Sequence, residues 1–236
     1  MSRSLPNLLV PGLLNTARLY IEQLPTLWRY GAVMVADHRS DDSLAAIARR
    51  ILADAPPRFS LFGLSMGGYV AMELYRQAPE RIARLALMDT TARPDTPEQS
   101  ARRRELIELT RAGQFAGLMD LLYPNLVHPR RVDDAALRAV VKGMAAEVGP
   151  EAFIRQQTAI INRPDSRPTL AAIACPTLVL VGDSDQLTPP DRAREIAAGI
   201  RGAQLVVVPE CGHVSALEQA ERVTAALNNW LQKLDT

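Results

Sequence analysis

Six short apolar runs recur along the chain, "LPNLLVPG", "AVMVAD", "FSLFG", "LALMD", "PTLVLVGD" and "QLVVVPE", each bounded by Gly, Pro or Asp. Runs this short, without polar alternation, read as strands buried on both faces, the usual state of a parallel sheet sandwiched between helices. Helical patterns fill the gaps. In "DDSLAAIARRILADA" the side chains of Leu44, Ile47, Ala48, Ile51 and Leu52 share one face behind an Asp cap. Repeated strand and helix units predict an α/β fold: one sheet of six parallel strands, right-handed crossovers, and helices on both sides.

The alternation fails once. Residues 91–172 hold no strand pattern and read as helices instead. "TPEQSARRRELIELTRAG" has Thr96 as cap, Pro97 in the first turn, Gln99 completing a capping box and Gly113 as stop. "DDAALRAVVKGMAAEVG" and "PEAFIRQQTAIINR" follow. The chain therefore divides into a core of residues 1–90 and 173–236 and a helical insertion of residues 91–172. The run Arg102, Arg103, Arg104 reads as a solvated helix face.

Composition excludes several functions. With 236 residues, 47% of them hydrophobic, the chain has ample material for one compact core. Lys and Arg number 27 against 26 Asp and Glu, a formal net charge of +1, so no whole-chain field draws it to nucleic acid or to an anionic membrane surface. No apolar run approaches the length of a bilayer span, and a soluble, cytoplasmic monomer or homodimer acting on a small molecule is expected. Cys175 and Cys211 are too few for a disulfide framework, lack metal-ligand spacing, and read as small buried hydrophobes. No metal or organic cofactor is expected.

The segment "FSLFGLSMGGYVAMELY" carries Gly63-Leu64-Ser65-Met66-Gly67, a G-x-S-x-G pattern with a strand before it and a helix after it. In such a turn the serine takes a strained backbone conformation that projects its hydroxyl from the sheet edge, and the flanking glycines remove the collision that side chains would cause there. The following helix begins at Met66, so its free N–H groups and positive dipole end face the space beside the serine oxygen.

A serine hydroxyl needs a base and an orienting acid. The chain has three histidines, His38, His128 and His213. His213 follows the last strand, at the carboxyl edge where sites of open α/β sheets collect, and is the preferred base. His38 follows the second strand and has the alternative of pairing with Asp41 or Asp42; His128 falls among the inserted helices. Asp183 and Asp185 both follow the fifth strand. Asp185 reaches further and is preferred, Asp183 suits a loop-anchoring Asx role, and Asp89 at the end of the fourth strand is a third candidate acid.

On these residues the chain resembles the α/β-hydrolase-fold superfamily, whose triad order is that of Ser65, Asp185 and His213, and the likeness extends over nearly the whole chain. The resemblance implies a serine esterase with a helical cap and an oxyanion hole formed by the backbone N–H of Met66 and that of Leu13 in the loop after the first strand. Family members often write that loop His-Gly-x; here it is Pro11-Gly12-Leu13. The lead before the first strand is too short for the family's opening hairpin. Leu118, Leu122 and Tyr123, with Phe115 and Met119, are candidate pocket residues under the cap, and an apolar lining without a fixed charge suits neutral esters. The same fold also hosts small-molecule lyases like that of menaquinone biosynthesis, C–C bond hydrolases, lactonases, aminopeptidases and noncatalytic ligand receptors, so the expectation of small carboxylic esters rests on the site residues rather than on the fold.

Overall fold

A computed structural model of the chain describes residues 5–235. Its six strands are β1 (Asn7–Val10), β2 (Val33–Val35), β3 (Phe59–Leu64), β4 (Ile82–Met88), β5 (Thr177–Gly182) and β6 (Gln204–Val208). They form one sheet in the order β2-β1-β3-β4-β5-β6 with every neighbouring pair parallel, as the alternation predicts, and no opening hairpin is seen among the described residues. The helices are α1 (Leu24–Leu27), α2 (Leu44–Asp54), α3 (Met66–Gln77), α4 (Pro97–Arg111), α5 (Phe115–Leu122), α6 (Ala135–Val148), α7 (Pro150–Ile161), α8 (Arg167–Leu170), α9 (Pro190–Gly199), α10 (Ser215–Glu218) and α11 (Ala220–Asp235).

The strand order fixes where a site can lie. From β1 the chain steps outward to β2, crosses back to β3, and then runs steadily to β6, so direction reverses between β1 and β3. Loops leaving the carboxyl ends of two such strands diverge and open a crevice. The loop after β1 is Pro11-Gly12-Leu13, and the turn after β3 holds Ser65.

Consecutive strand residues point to opposite faces, which splits the core into two layers. Leu9, Phe62, Leu64, Met88, Leu178 and Leu180 pack with Val223, Leu227 and Trp230 of α11, the ring of Trp230 meeting Phe62 edge-on at 6.2 Å. Leu8, Val10, Leu61, Leu85, Val179 and Val181 pack with Ile47 and Ile51 of α2, Val70 and Leu74 of α3 and Ile196 of α9. Each such side chain contributes about 1.5–3 kcal/mol by leaving water.

The helix caps follow local chemistry. Thr96 and Gln99 form the reciprocal capping box of α4, and Gly113 takes the left-handed φ of 80° just past its end. The cap of α2 is Ser43 rather than an aspartate: Ser43 has the extended backbone that lets its oxygen accept from Ala46 N, while Asp41 pairs with Arg50. The segment between β4 and β5, containing α4 to α8, is tied to the loops around the sheet by contacts that include Gln156 Oε1 accepting from Leu14 N, Leu126 O accepting from His213 N and Val214 N, and the pair of Glu147 with Arg18. No helix among the described residues is long and apolar enough to cross a membrane.

Candidate active site

Ser65 sits between β3 and α3 with φ 56° and ψ −116°, a conformation L-residues rarely adopt. The turn is held by Ser65 N donating to Met88 O and by Thr90 Oγ1 donating to Ser65 O. A Cβ on Gly67 would lie 1.9 Å from Val10 O, so glycine is what lets α3 start flush against β1.

The structure brings Ser65, His213 and Asp185 into one line. Ser65 Oγ lies 2.7 Å from His213 Nε2, and His213 Nδ1 lies 2.8 Å from Asp185 Oδ2. This arrangement fixes the neutral tautomer, with Nδ1–H donating to the carboxylate and Nε2 free to accept the serine proton. Asp185 is itself held: Oδ1 accepts from Leu187 N and Thr188 N, and Oδ2 from Thr188 Oγ1. Burial favours its neutral form, yet His213 and Thr188 more than offset this and hold the carboxyl below the ordinary carboxylate range. For His213 burial opposes protonation, but the charge and hydrogen bond of Asp185, with the charge of Asp89, hold the imidazole above its ordinary value; Arg103 acts in the opposite sense.

The other candidate bases and acids have different partners. Asp183 accepts from Glu210 N, Cys211 N and Ser184 Oγ, an anchoring role for the loop that precedes His213. Asp89, fully buried, accepts from Gly182 N and from Ser215 Oγ; burial first, and then the charge of Asp185, push its pKa up to about 8. His128 uses Nδ1 to accept from Arg130 N. His38 pairs with neither Asp41 nor Asp42. It is buried, with Nε2 3.0 Å from Gly12 O, and burial pushes its pKa down, so as a neutral ring it donates to the loop after β1.

That loop lies against the serine. A Cβ on Gly12 would meet Ser65 Cβ at 3.3 Å and Asn15 Oδ1 at 2.7 Å, so the backbone of Gly12-Leu13 passes beside the hydroxyl because no side chain intervenes. The N–H groups of Leu13 and Met66 find no acceptor among the described residues. His38 on Gly12 O and Gln156 on Leu14 N brace the loop from either end; Leu14 itself has φ 59°. Neither brace has a sequence motif.

Ser65 and His213 open onto a cavity of about 580 Å³. Leu122 and Met119 line it, with Leu13, Leu106, Leu126 and Ile160. Leu118 and Tyr123 do not, contrary to expectation. The Tyr123 side chain is fully buried, with its hydroxyl donating to Arg131 O at 3.1 Å, and Leu118 belongs to the apolar packing among the helices. Phe115 is taken up by a tilted ring contact with Phe153. The lining is also not free of charge: Arg93, Asp95, Arg102, Arg103, Arg163 and Arg192 all reach it. Arg103 departs from the solvated-face reading, its side chain being 23% exposed and turned toward Asp95 and Gln157.

A sequence profile of the alpha/beta hydrolase family matches residues 8–226. A solved structure of a thermophilic esterase from Thermogutta terrifontis, with malate bound, aligns with a TM-score of 0.88 at 32% identity, covering 98% of this chain and 91% of that one. The pimeloyl-[acyl-carrier protein] methyl ester esterase of Neisseria meningitidis serogroup B is 26% identical over 221 residues, which is 89% of this chain and 85% of that protein. The 2-hydroxy-6-oxononadienedioate/2-hydroxy-6-oxononatrienedioate hydrolase of Klebsiella pneumoniae is 25% identical over 221 residues, 92% of this chain and 77% of that protein.

Proposed function

Because the chain belongs to the alpha/beta hydrolase family, we propose that it is a serine hydrolase of small carboxylic esters, working through an acyl-enzyme on Ser65. The observation that carries this reading is the unbroken line Ser65 Oγ, His213 and Asp185, with contacts of 2.7 and 2.8 Å, whose first two members line the cavity.

In the proposed reaction His213 Nε2 takes the proton as Ser65 Oγ attacks the acyl carbonyl, and Asp185 holds Nδ1–H and stabilises the imidazolium. The developing oxyanion is met by Leu13 N–H and Met66 N–H, neither of which has an acceptor among the described residues. The imidazolium returns its proton to the leaving alcohol. Water, deprotonated by the same nitrogen, then releases the acid and restores Ser65. Residues 91–172 act as the cap, and Leu122 and Met119 contact the substrate.

The esterase relatives from Thermogutta terrifontis and Neisseria meningitidis support ester hydrolysis; the Klebsiella pneumoniae relative supports, as a second reading, hydrolysis of a 2-hydroxy-6-oxo compound of the kind in its name. Repeated turnover of p-nitrophenyl acetate or butyrate, abolished in Ser65→Ala, is the expected result. Nitrophenol release that stops at one equivalent would mean a serine that acylates without delivering water, and would overturn the hydrolase assignment.

A further inference from the structure

The arginines on the cavity wall are not equally neutralised. Arg93 pairs with Glu195, Arg102 with Glu105 and Arg192 with Asp191, one carboxylate each. Arg103 and Arg163 share a single carboxylate: Asp95 Oδ2 accepts from Arg103 Nε at 2.7 Å and Oδ1 from Arg163 Nη1 at 2.5 Å. The side chains of Asp95 and Arg163 are 1% and 4% exposed, and the Arg163 guanidinium stacks over the Tyr69 ring at 4.4 Å. Glu98, the other carboxylate on the lining, is exposed and engaged with Thr96 at the start of α4. At the buried corner itself two guanidinium groups thus face one carboxylate, a local surplus of one positive charge where an unpaired charge is costly.

The same corner has donors to spare. Arg103 is fixed through Nε to Asp95 and through Nη1 to Gln157 Oε1 at 2.8 Å, while its Nη2 has no acceptor among the described residues. Gln157 is 1% exposed, lines the cavity, and spends its oxygen on Arg103, so its Nε2 is likewise unused among the described residues. Two adjacent donors and one surplus positive charge match a monoanion with two acceptor oxygens. Phosphate would bring additional negative charge with no counterpart.

We propose that the corner formed by Arg103, Asp95, Arg163 and Gln157 binds a carboxylate carried by the substrate, so that the ester cleaved at Ser65 has a free carboxylate remote from its scissile carbonyl. The second half of this statement rests on the ester-hydrolysis reading; the carboxylate site does not.

The test separates the two. Calorimetry on the full-length Ser65→Ala protein compares monomethyl succinate, glutarate and adipate with neutral methyl esters of matching chain length. At least one half-ester binds about tenfold or more tighter than its neutral partner, the scale of a charge-assisted hydrogen-bonded pair. Adding Arg103→Gln or Gln157→Leu lowers that preference, and Arg103→Lys retains part of it. No preference, a preference indifferent to all three changes, or displacement of the half-ester by inorganic phosphate at similar concentration overturns the carboxylate site. In the protein with Ser65 intact the preferred half-ester also has the higher kcat/KM. Binding through Arg103 without hydrolysis of any half-ester overturns the substrate assignment and the esterase reading, while the carboxylate site stands. Hydrolysis of p-nitrophenyl acetate with no half-ester preference does the reverse.

Discussion

The backbone at Ser65 predicts an inversion of the usual ranking of alanine and glycine. Ser65→Ala and Ser65→Gly remove the same hydroxyl and the same 2.7 Å contact with His213, so the difference between the two variants isolates the main chain. At φ 56° and ψ −116°, a residue with a Cβ bears strain of about 1–3 kcal/mol, which glycine does not. Against this, glycine loses about 0.5–1 kcal/mol relative to alanine through its freer unfolded chain. The balance leaves Ser65→Gly the more stable variant by about 1 kcal/mol, or about 2–4 °C in Tm for a chain of this size. Thermal unfolding followed by circular dichroism, with both variants at one pH and concentration, reads the difference directly. A glycine variant that melts at or below the alanine variant would refute the strain argument, because it would mean the turn accommodates a Cβ without cost.

Three further outcomes follow from the site. His213 must be neutral to act as base, and its pKa is held above the ordinary value near 6.5, so kcat/KM for p-nitrophenyl acetate rises with pH through a group above that value; Arg103→Gln removes an opposing positive charge and moves this limb further to alkaline pH, and an acid limb below 6.5 contradicts the electrostatics. Asp185→Asn lowers kcat by about 10⁴, since amide in place of carboxylate favours the wrong imidazole tautomer, whereas Asp183→Asn, which loses anchors to Glu210 N and Cys211 N, registers mainly as lower stability in urea. Gln156→Leu strands the Leu14 N–H, loosens the neighbouring Leu13 donor and lowers kcat about tenfold with KM little changed, part of the 10²–10³ that removal of a whole oxyanion donor costs; loss of stability with kcat intact would reduce Gln156 to a structural support.

What could be read from the chain before folding was what local chemistry determines. The strand runs and G-x-S-x-G announce themselves within a few residues, and the Thr96 to Gln99 capping box forms as written. The features that escaped depend on partners distant in sequence. Gln156 reaches Leu14 across 142 positions, Arg163 meets Asp95 across 68, and Arg103 meets Gln157 across 54. Helical periodicity could not say which of three consecutive arginines turns inward, because that is decided by Asp95 lying just ahead of α4 and by α7 packing alongside it. Leu118 and Leu122 stand one turn apart on α5, yet only the latter reaches the cavity, Leu118 being taken up by the apolar packing among the helices, which spacing within α5 alone does not reveal.

The stitching of the helical segment to the sheet bears on how such a protein can be recombined. Leu126 O holds the backbone of His213 and Val214 at 2.9 and 3.1 Å, and Gln156 holds Leu14 at 3.2 Å. Exchanging the stretch between β4 and β5 for that of a relative, in the hope of importing a new substrate range, would therefore also exchange the props beneath the histidine and beside Leu13. In this chain that stretch is not a removable cassette: a chimera has to reproduce a carbonyl where Leu126 presents one and an acceptor where Gln156 presents one, or it starts with both loops untied.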